Sequence, residues 1–248
     1  MIKSFITKKE KISHNTWILK VDLEKEISYE NGYFFTYIYN EERDHRKPYT
    51  PVLFDYRQMT FLIKHYNREG VADYVISKDV GESLMMTMPV YKISRKSHTK
   101  ENVLLLAGGT GIAPMLQIMN YSQPNVNYIV IFSNTTIRDI IISQEILKTR
   151  ACLKIYNVIS YKEDDFMVNP INSLGDFDSY LVYSRVSTEL IKQISKENEI
   201  DMFDFVYCCG PRDYMHDVCG NKNKDKTQGE LSGFLKELGY DKDKVFKF

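Results

Sequence analysis

A net charge, paired cysteines and long apolar runs are all missing from this 248-residue chain. Its 33 basic and 33 acidic side chains cancel. No overall field therefore favours a nucleic-acid backbone or an anionic membrane, and an electrostatic partner must be met by a local patch. No stretch approaches the ~20 apolar residues of a membrane span, and the opening MIKSFITKKEKISHNTW has no apolar core of the signal-peptide kind. The four cysteines, Cys152, Cys208, Cys209 and Cys219, make no CxxC pair and no Cys/His set at zinc-ligand spacing. That argues against a metal site and for free thiols in a reducing compartment. The expectation is a soluble cytoplasmic protein with no nucleic-acid partner.

What is present falls into two rhythms, and the length allows two domains with a core each. Up to about residue 89, short alternating runs at 16–23, 33–39 and 59–66 carry β-branched and aromatic residues, the pattern of strands. With no convincing helix between them, they predict an antiparallel β-barrel. Beyond residue 102 the order becomes strand (103–106), helix (113–121), strand (127–132), helix (139–150), strand (152–160), helix (188–197), strand (203–208) and helix (229–238). Such alternation predicts a Rossmann-like α/β domain built on a parallel sheet. The polar, basic YKISRKSHTKEN at 91–102 is the candidate boundary, giving domains 1–97 and 98–248.

The first strand-to-helix turn of the second half is LLLAGGTGIAP, residues 104–114. It is no Walker loop, because no Lys-Ser/Thr pair follows the glycines, and Pro114 replaces the third glycine of the ordinary dinucleotide fingerprint. Proline is tolerated in the first turn of a helix, so the helix can start directly behind the glycines. Backbone N–H groups and a positive helix end then face outward, which suits a pyrophosphate. A bare glycine turn has the same local sequence, so the reading depends on two other stretches. These are HRKPYTP at 45–51 and YCCGPRDYM at 207–215, the latter on the sheet's C-terminal rim if strand order brings it beside the loop.

With those stretches together, and with KISHNTW, FLIKHY, FSNTTIRDI and the final VFKF in the same order, the chain resembles the ferredoxin–NADP reductase superfamily of flavoproteins. Within it, the resemblance is to the NADH–cytochrome b5 reductase family. It implies a FAD-binding barrel followed by an NADH-binding domain. Lys47, Pro48, Tyr49 and Thr50 match the flavin motif, Tyr49 packing along the isoalloxazine and Thr50 bonding it near N5. Leu62, Lys64 and Tyr66 match the strand beside the flavin, and Gly70, Val71 and Ala72 its second phosphate motif. Gly108, Gly109, Thr110 and Gly111 match the NADH loop; Cys209, Gly210, Pro211 and Met215 match the last nucleotide motif, with Cys209 beside the nicotinamide. Asp139 matches the aspartate on the NADH side, although an acid near a helix start is also ordinary stabilisation.

Hydride transfer from nicotinamide to flavin asks the protein for orientation and water exclusion rather than for a side-chain acid or nucleophile. Three positions depart from the pattern. Lys47 stands where arginine is usual, with Arg46 one residue early, so either Lys47 makes a single phosphate contact or a bulge brings Arg46 in. Ala72 and Ala113 replace hydroxyl residues. The basic Lys92, Arg95, Lys96, His98 and Lys100, with Lys8, Lys9 and Lys11, form a candidate docking patch for an acidic haem protein such as cytochrome b5. A monomer lacking its own membrane anchor is implied, located at membranes only through its partner. Two other readings stay open: a reductase component of a larger oxygenase or dehydrogenase, and a flavin-free binding module of the same fold.

Overall fold

The computed structural model describes residues 1–30, 32–66, 68–94, 101–149, 151–161 and 178–248. The chain divides into two compact units, Met1–Lys96 with Leu116–Asn120, and Ser97–Met115 with Tyr121–Phe248. The expected boundary at 97/98 falls outside the described residues.

The first unit holds eight strands: β1 (Ile2–Lys11), β2 (Thr16–Leu23), β3 (Gly32–Asn40), β4 (His45–Tyr49), β5 (Leu53–Phe54), β6 (Gln58–Lys64), β7 (Ser83–Met86) and β8 (Val90–Ser94). They pair in the order β4-β3-β7-β1-β2-β6-β5, with β8 against β3. All of these pairings are antiparallel. Alternation explains the core. Ile2, Ser4 and Ile6 of β1 are buried while Lys3 and Phe5 between them are exposed or partly so. Met59, Phe61 and Ile63 of β6 enter the same apolar cluster as Leu19, Val21 and Ile38. This is the predicted antiparallel β domain, with one correction: it contains a helix, α1 (Val71–Ser77), that strand-like valines and an isoleucine conceal. Val71, Tyr74 and Val75 turn into the core, so burial outweighs the weak helix preference of β-branched residues.

The second unit is built on β9 (Asn102–Gly108), β10 (Asn127–Asn134), β11 (Cys152–Ile159), β12 (Asp178–Tyr183), β13 (Phe205–Cys209) and β14 (Val245–Lys247). Their order is β12-β11-β10-β9-β13-β14 and every pair is parallel. Leu104, Leu105, Leu106, Ile129, Val130 and Ile131 are all fully buried, the continuous apolar run of a sheet covered on both faces. Among the described residues the further helices are α2 (Ile112–Asn120), whose part from Leu116 on belongs to the first unit, α3 (Thr188–Glu197), α4 (Arg212–Cys219) and α5 (Gly233–Glu237).

Two expectations need correction. Where a helix was expected over 139–150, the described residues 139–149 form none: a single 3-10 turn, Ile137–Asp139, is followed by irregular chain. The helix expected over 229–238 is confined to Gly233–Glu237, because Gly229 and Gly233 both take left-handed φ (67° and 64°).

Candidate functional site

In the first unit the candidate flavin residues lie on and after β4, on and after β6, and at the start of α1. The register of β4 against β3 is unbroken, from Thr36 opposite Tyr49 to Asn40 opposite His45. No bulge therefore exists, and strand alternation puts Lys47 on the same face as Tyr49 and Arg46 on the other. Arg46 is engaged there: its guanidinium lies 4.5 Å from the Tyr37 ring centre, and Nη1 donates to Tyr39 Oη at 2.7 Å. Of the two candidate cations, Lys47 shares the face of Tyr49 and Arg46 does not.

Tyr49 is half-buried against the apolar cluster, and desolvation, with the neighbouring Tyr66 hydroxyl, pushes its phenol up to about 12. It is therefore a neutral hydrogen-bonding group at physiological pH. Lys64 ends β6 with its ammonium 5.9 Å from the Tyr66 ring, so Tyr49, Lys64 and Tyr66 form one neighbourhood. Tyr66 itself lies beyond the strand and is 59% exposed. Thr50 follows β4, half-buried, and Pro48 is exposed.

Leu62 and Val71 are buried, and Ala72 packs on the core, so at 70–72 only the backbone is offered to a ligand. Gly70 is the N-cap of α1. The acid in that first turn, Asp73, is met by His65 at 3.0 Å.

In the second unit the two nucleotide stretches are adjacent. β13 lies directly beside β9, with Cys209 opposite Ala107, so the turn after each strand sits on one rim. The fit is tight enough to demand glycine. A Cβ at Gly111 would lie 2.1 Å from the Cys209 carbonyl oxygen, and one at Gly210 would lie 2.5 Å from Cδ1 of Tyr214. At Gly108 it would meet Pro211 and Tyr214 at 3.1 Å. Gly109 is different: its φ is +54°, and a Cβ there would enter open space.

The loop closes as a 3-10 turn, Gly109–Gly111, running straight into α2, whose third residue is Pro114. The loop thus presents bare backbone ahead of a helix start, the donor set that a pyrophosphate needs. Thr110 is part of the turn and half-buried.

Cys209 is partly buried and desolvation pushes its thiol up to about 12, which leaves it protonated and a packing group rather than a nucleophile. Pro211 is exposed and caps α4. Met215, expected at the cofactor, instead packs in the core with Leu104, Leu106 and Val218 at 6% exposure. Asp139 is 9% exposed, and its carboxylate accepts from the backbone N–H of Thr136 (3.2 Å) and from its hydroxyl (3.0 Å). Tyr214, overlooked in the sequence, supports both turns with its ring. The aromatic inside YCCGPRDYM was the available signal. Among the described residues no group of three or more His, Cys, Asp or Glu is placed to hold a metal ion. No helix among them is long and apolar enough to cross a membrane.

Comparison with known proteins follows the two halves. The oxidoreductase FAD-binding domain family matches residues 3–94 and the oxidoreductase NAD-binding domain family residues 105–220. NADH-cytochrome b5 reductase 2 of Coccidioides immitis is 30% identical over 214 residues, which are 84% of this chain and 63% of that protein. The protein of the same name from Phaeosphaeria nodorum is 28% identical over 261 residues, covering all of this chain and 74% of its own. The chain spans 63% and 58% of the length of the first two such relatives, those of Coccidioides immitis and Neurospora crassa. Among solved structures, the cytochrome b5 reductase domain of Ulva prolifera nitrate reductase superposes with a TM-score of 0.70 at 17% identity, over 99% of this chain and 96% of that one. Flavohemoglobin from Malassezia yamatoensis gives 0.70 at 15% identity, over 99% and 59%. At these identities the structural likeness speaks for the fold alone.

Proposed function

We propose that the chain, whose two halves match the oxidoreductase FAD-binding and NAD-binding domain families, is an NADH-dependent FAD reductase of the NADH–cytochrome b5 reductase family. It takes a hydride from NADH and passes electrons singly to a haem protein of the cytochrome b5 kind. The observation that carries this reading is the packed rim of the second unit, where a Cβ at Gly111 or Gly210 would collide with its neighbours and one at Gly108 would be tightly squeezed.

Bound FAD supplies the chemistry, accepting two electrons together and releasing them one at a time. The chain's own residues bind and orient. Lys47 supplies a point charge to the flavin phosphates, and the N–H groups at 70–72 supply donors. Tyr49, a neutral phenol whose burial keeps it so to higher pH, packs along the ring system, and Thr50 offers its hydroxyl to it. Lys64 and Tyr66 flank the same place. The loop from Gly108 to Gly111, with Thr110, cradles the NADH pyrophosphate, while Cys209, Gly210 and Pro211 exclude water at the nicotinamide. Asp139 disfavours a 2′-phosphate through its charge, although its carboxylate already serves Thr136. The reading includes a monomer working in a reducing, cytoplasmic setting, in keeping with four free thiols.

Anaerobic titration of the purified protein with NADH and with NADPH, followed by the visible spectrum, tests the proposal. A yellow protein bleached preferentially by NADH is expected, and electron delivery to cytochrome b5 as well as to ferricyanide completes it. No flavin spectrum, even after added FAD, overturns it in favour of a flavin-free module. That second reading draws on Lys47, on Ala72 without a hydroxyl, and on Arg46 held away by Tyr37 and Tyr39.

A further inference from the structure

We propose that Tyr214 is the positioning residue of the nucleotide rim, its ring setting the separation of the turns at Gly108 and Gly210 and hence the aim of the loop's N–H groups. The proposal deepens the NADH reading and rests on it.

Tyr214 is the third residue of α4, and its ring packs on the core cluster that includes Leu104, Cys208 and Met215. The ring touches both turns at once. Cγ and Cδ1 stand 3.1 and 3.2 Å from where a Cβ of Gly108 would be, and Cδ1 and Cε1 stand 2.5 and 3.2 Å from that of Gly210. Gly108 ends β9 and Gly210 follows β13, the two strands being neighbours in register. One rigid plane therefore bears on the end of each strand just where the chain leaves the sheet. The third close approach, Gly111 against the Cys209 carbonyl and the Gly210 nitrogen, transmits that spacing to the loop itself.

The hydroxyl has no such task. It is buried and has no hydrogen-bond partner among the described residues, lying near the thiols of Cys208, Cys209 and Cys219. Burial raises its pKa well above the ordinary phenol value, so it stays neutral. A phenylalanine would give the turns the same support without a buried unsatisfied group.

The experiment compares wild type with Tyr214→Phe, Tyr214→Leu, Tyr214→Ala and Gly210→Ala, using calorimetric titration with NAD+ and steady-state kinetics with NADH and ferricyanide. Tyr214→Phe is expected to keep NAD+ affinity and NADH KM within about twofold. Tyr214→Ala raises the NAD+ Kd and the NADH KM about 10- to 100-fold, the worth of a misaimed hydrogen bond to a charged group, while kcat and the FAD spectrum change little. Tyr214→Leu, which keeps apolar volume in the core, falls between and carries the test if the alanine variant does not fold. Gly210→Ala alone weakens binding, because its Cβ strikes the ring. In the Tyr214→Ala background the same change costs far less, because the ring is gone.

Wild-type affinity in folded Tyr214→Ala or Tyr214→Leu overturns the proposal. So does equal damage from Tyr214→Phe and Tyr214→Ala, or an equal cost of Gly210→Ala in both backgrounds. A wild type that binds NAD+ but is not bleached by NADH overturns the parent reading, and the calorimetry still decides the role of Tyr214.

Discussion

Glycines of one loop are glycine for opposite reasons, and substitution separates them. Gly111 has no space: an added Cβ would lie 2.1 Å from a backbone oxygen, and backbone cannot swing aside as a side-chain tip does. Gly111→Ala is expected to destabilise by about 3 kcal/mol, the upper end for overpacking, and to abolish NADH-dependent bleaching while FAD stays bound. Gly109 has space but a φ of +54°, so Gly109→Ala costs only the left-handed penalty of about 1 kcal/mol. Thermal melts of the two variants read that difference.

The same rim carries a pH prediction. Cys209 has a folded-state thiol at about 12, above its unfolded value, so its contribution to stability is fully present below the unfolded pKa and is lost as pH rises toward 12. Urea midpoints should fall above about pH 9, with a slope approaching ~1.4 kcal/mol per pH unit per such group. Cys209→Ala should reduce that slope and leave the profile between pH 6 and 8 unchanged. A slope that Cys209→Ala does not alter would remove Cys209 as its source.

At the scale of elements, the role proposed for Lys47 at the flavin phosphates turns on the register of β4. Its unbroken register faces Lys47 with Tyr49, and its other face has Arg46 stacked on Tyr37. Lys47→Ala should weaken FAD about 10- to 150-fold, the worth of one charge-assisted hydrogen bond. Arg46→Ala should change FAD affinity less than about twofold while lowering stability slightly. The reverse result would show that β4 is seated differently when FAD binds. Fluorescence titration of the apoprotein measures both.

The same scale explains what could be read in advance. The turn from β9 into α2 was legible to within two residues, since a strand of buried leucines, three glycines and a proline each constrain the backbone in one direction. Alternation likewise disclosed β2, β3 and β6. Residues 139–150 were misread because Ile140, Ile141, Ile142, Ile146 and Leu147 have helical spacing. Asp139, which would have led that helix, is instead turned back onto Thr136 and closes a single 3-10 turn. For α1 and β12 the error has the opposite form. Val71, Val75 and Ile76 suggest a strand, and the edge strand β12 gains its place from pairing with β11, which no local pattern encodes. In the site, Lys47 over Arg46 and the role of Tyr214 depended on register and on atoms more than 100 residues apart. Neither is a property of a short stretch.

For the whole molecule, balanced charge leaves docking to local patches, and the amino-terminal lysines are largely committed elsewhere. Lys9 donates to the carbonyls of Ile76 (3.1 Å) and Lys78 (2.5 Å) and lies 3.8 Å from Asp79. It thus closes the C-terminal end of α1, where a cation favours the helix dipole. Lys8 pairs with Glu10 at 2.6 Å, Lys11 lies over Trp17, and Lys92 lies over Phe35. Arg95, Lys96, His98 and Lys100 lie outside the described residues. Lys9→Ala should therefore act on stability, costing about 1 kcal/mol as a lost helix-end contact does, and not on association with an acidic haem protein. Stopped-flow reduction of cytochrome b5 at two ionic strengths makes the comparison. Lys9→Ala and Lys8→Ala should leave both the rate and its salt dependence within about twofold, whereas loss of a steering charge would lower the low-salt rate and flatten its salt dependence. A low-salt rate reduced tenfold by Lys9→Ala in a protein of unchanged stability would return this lysine to the docking surface.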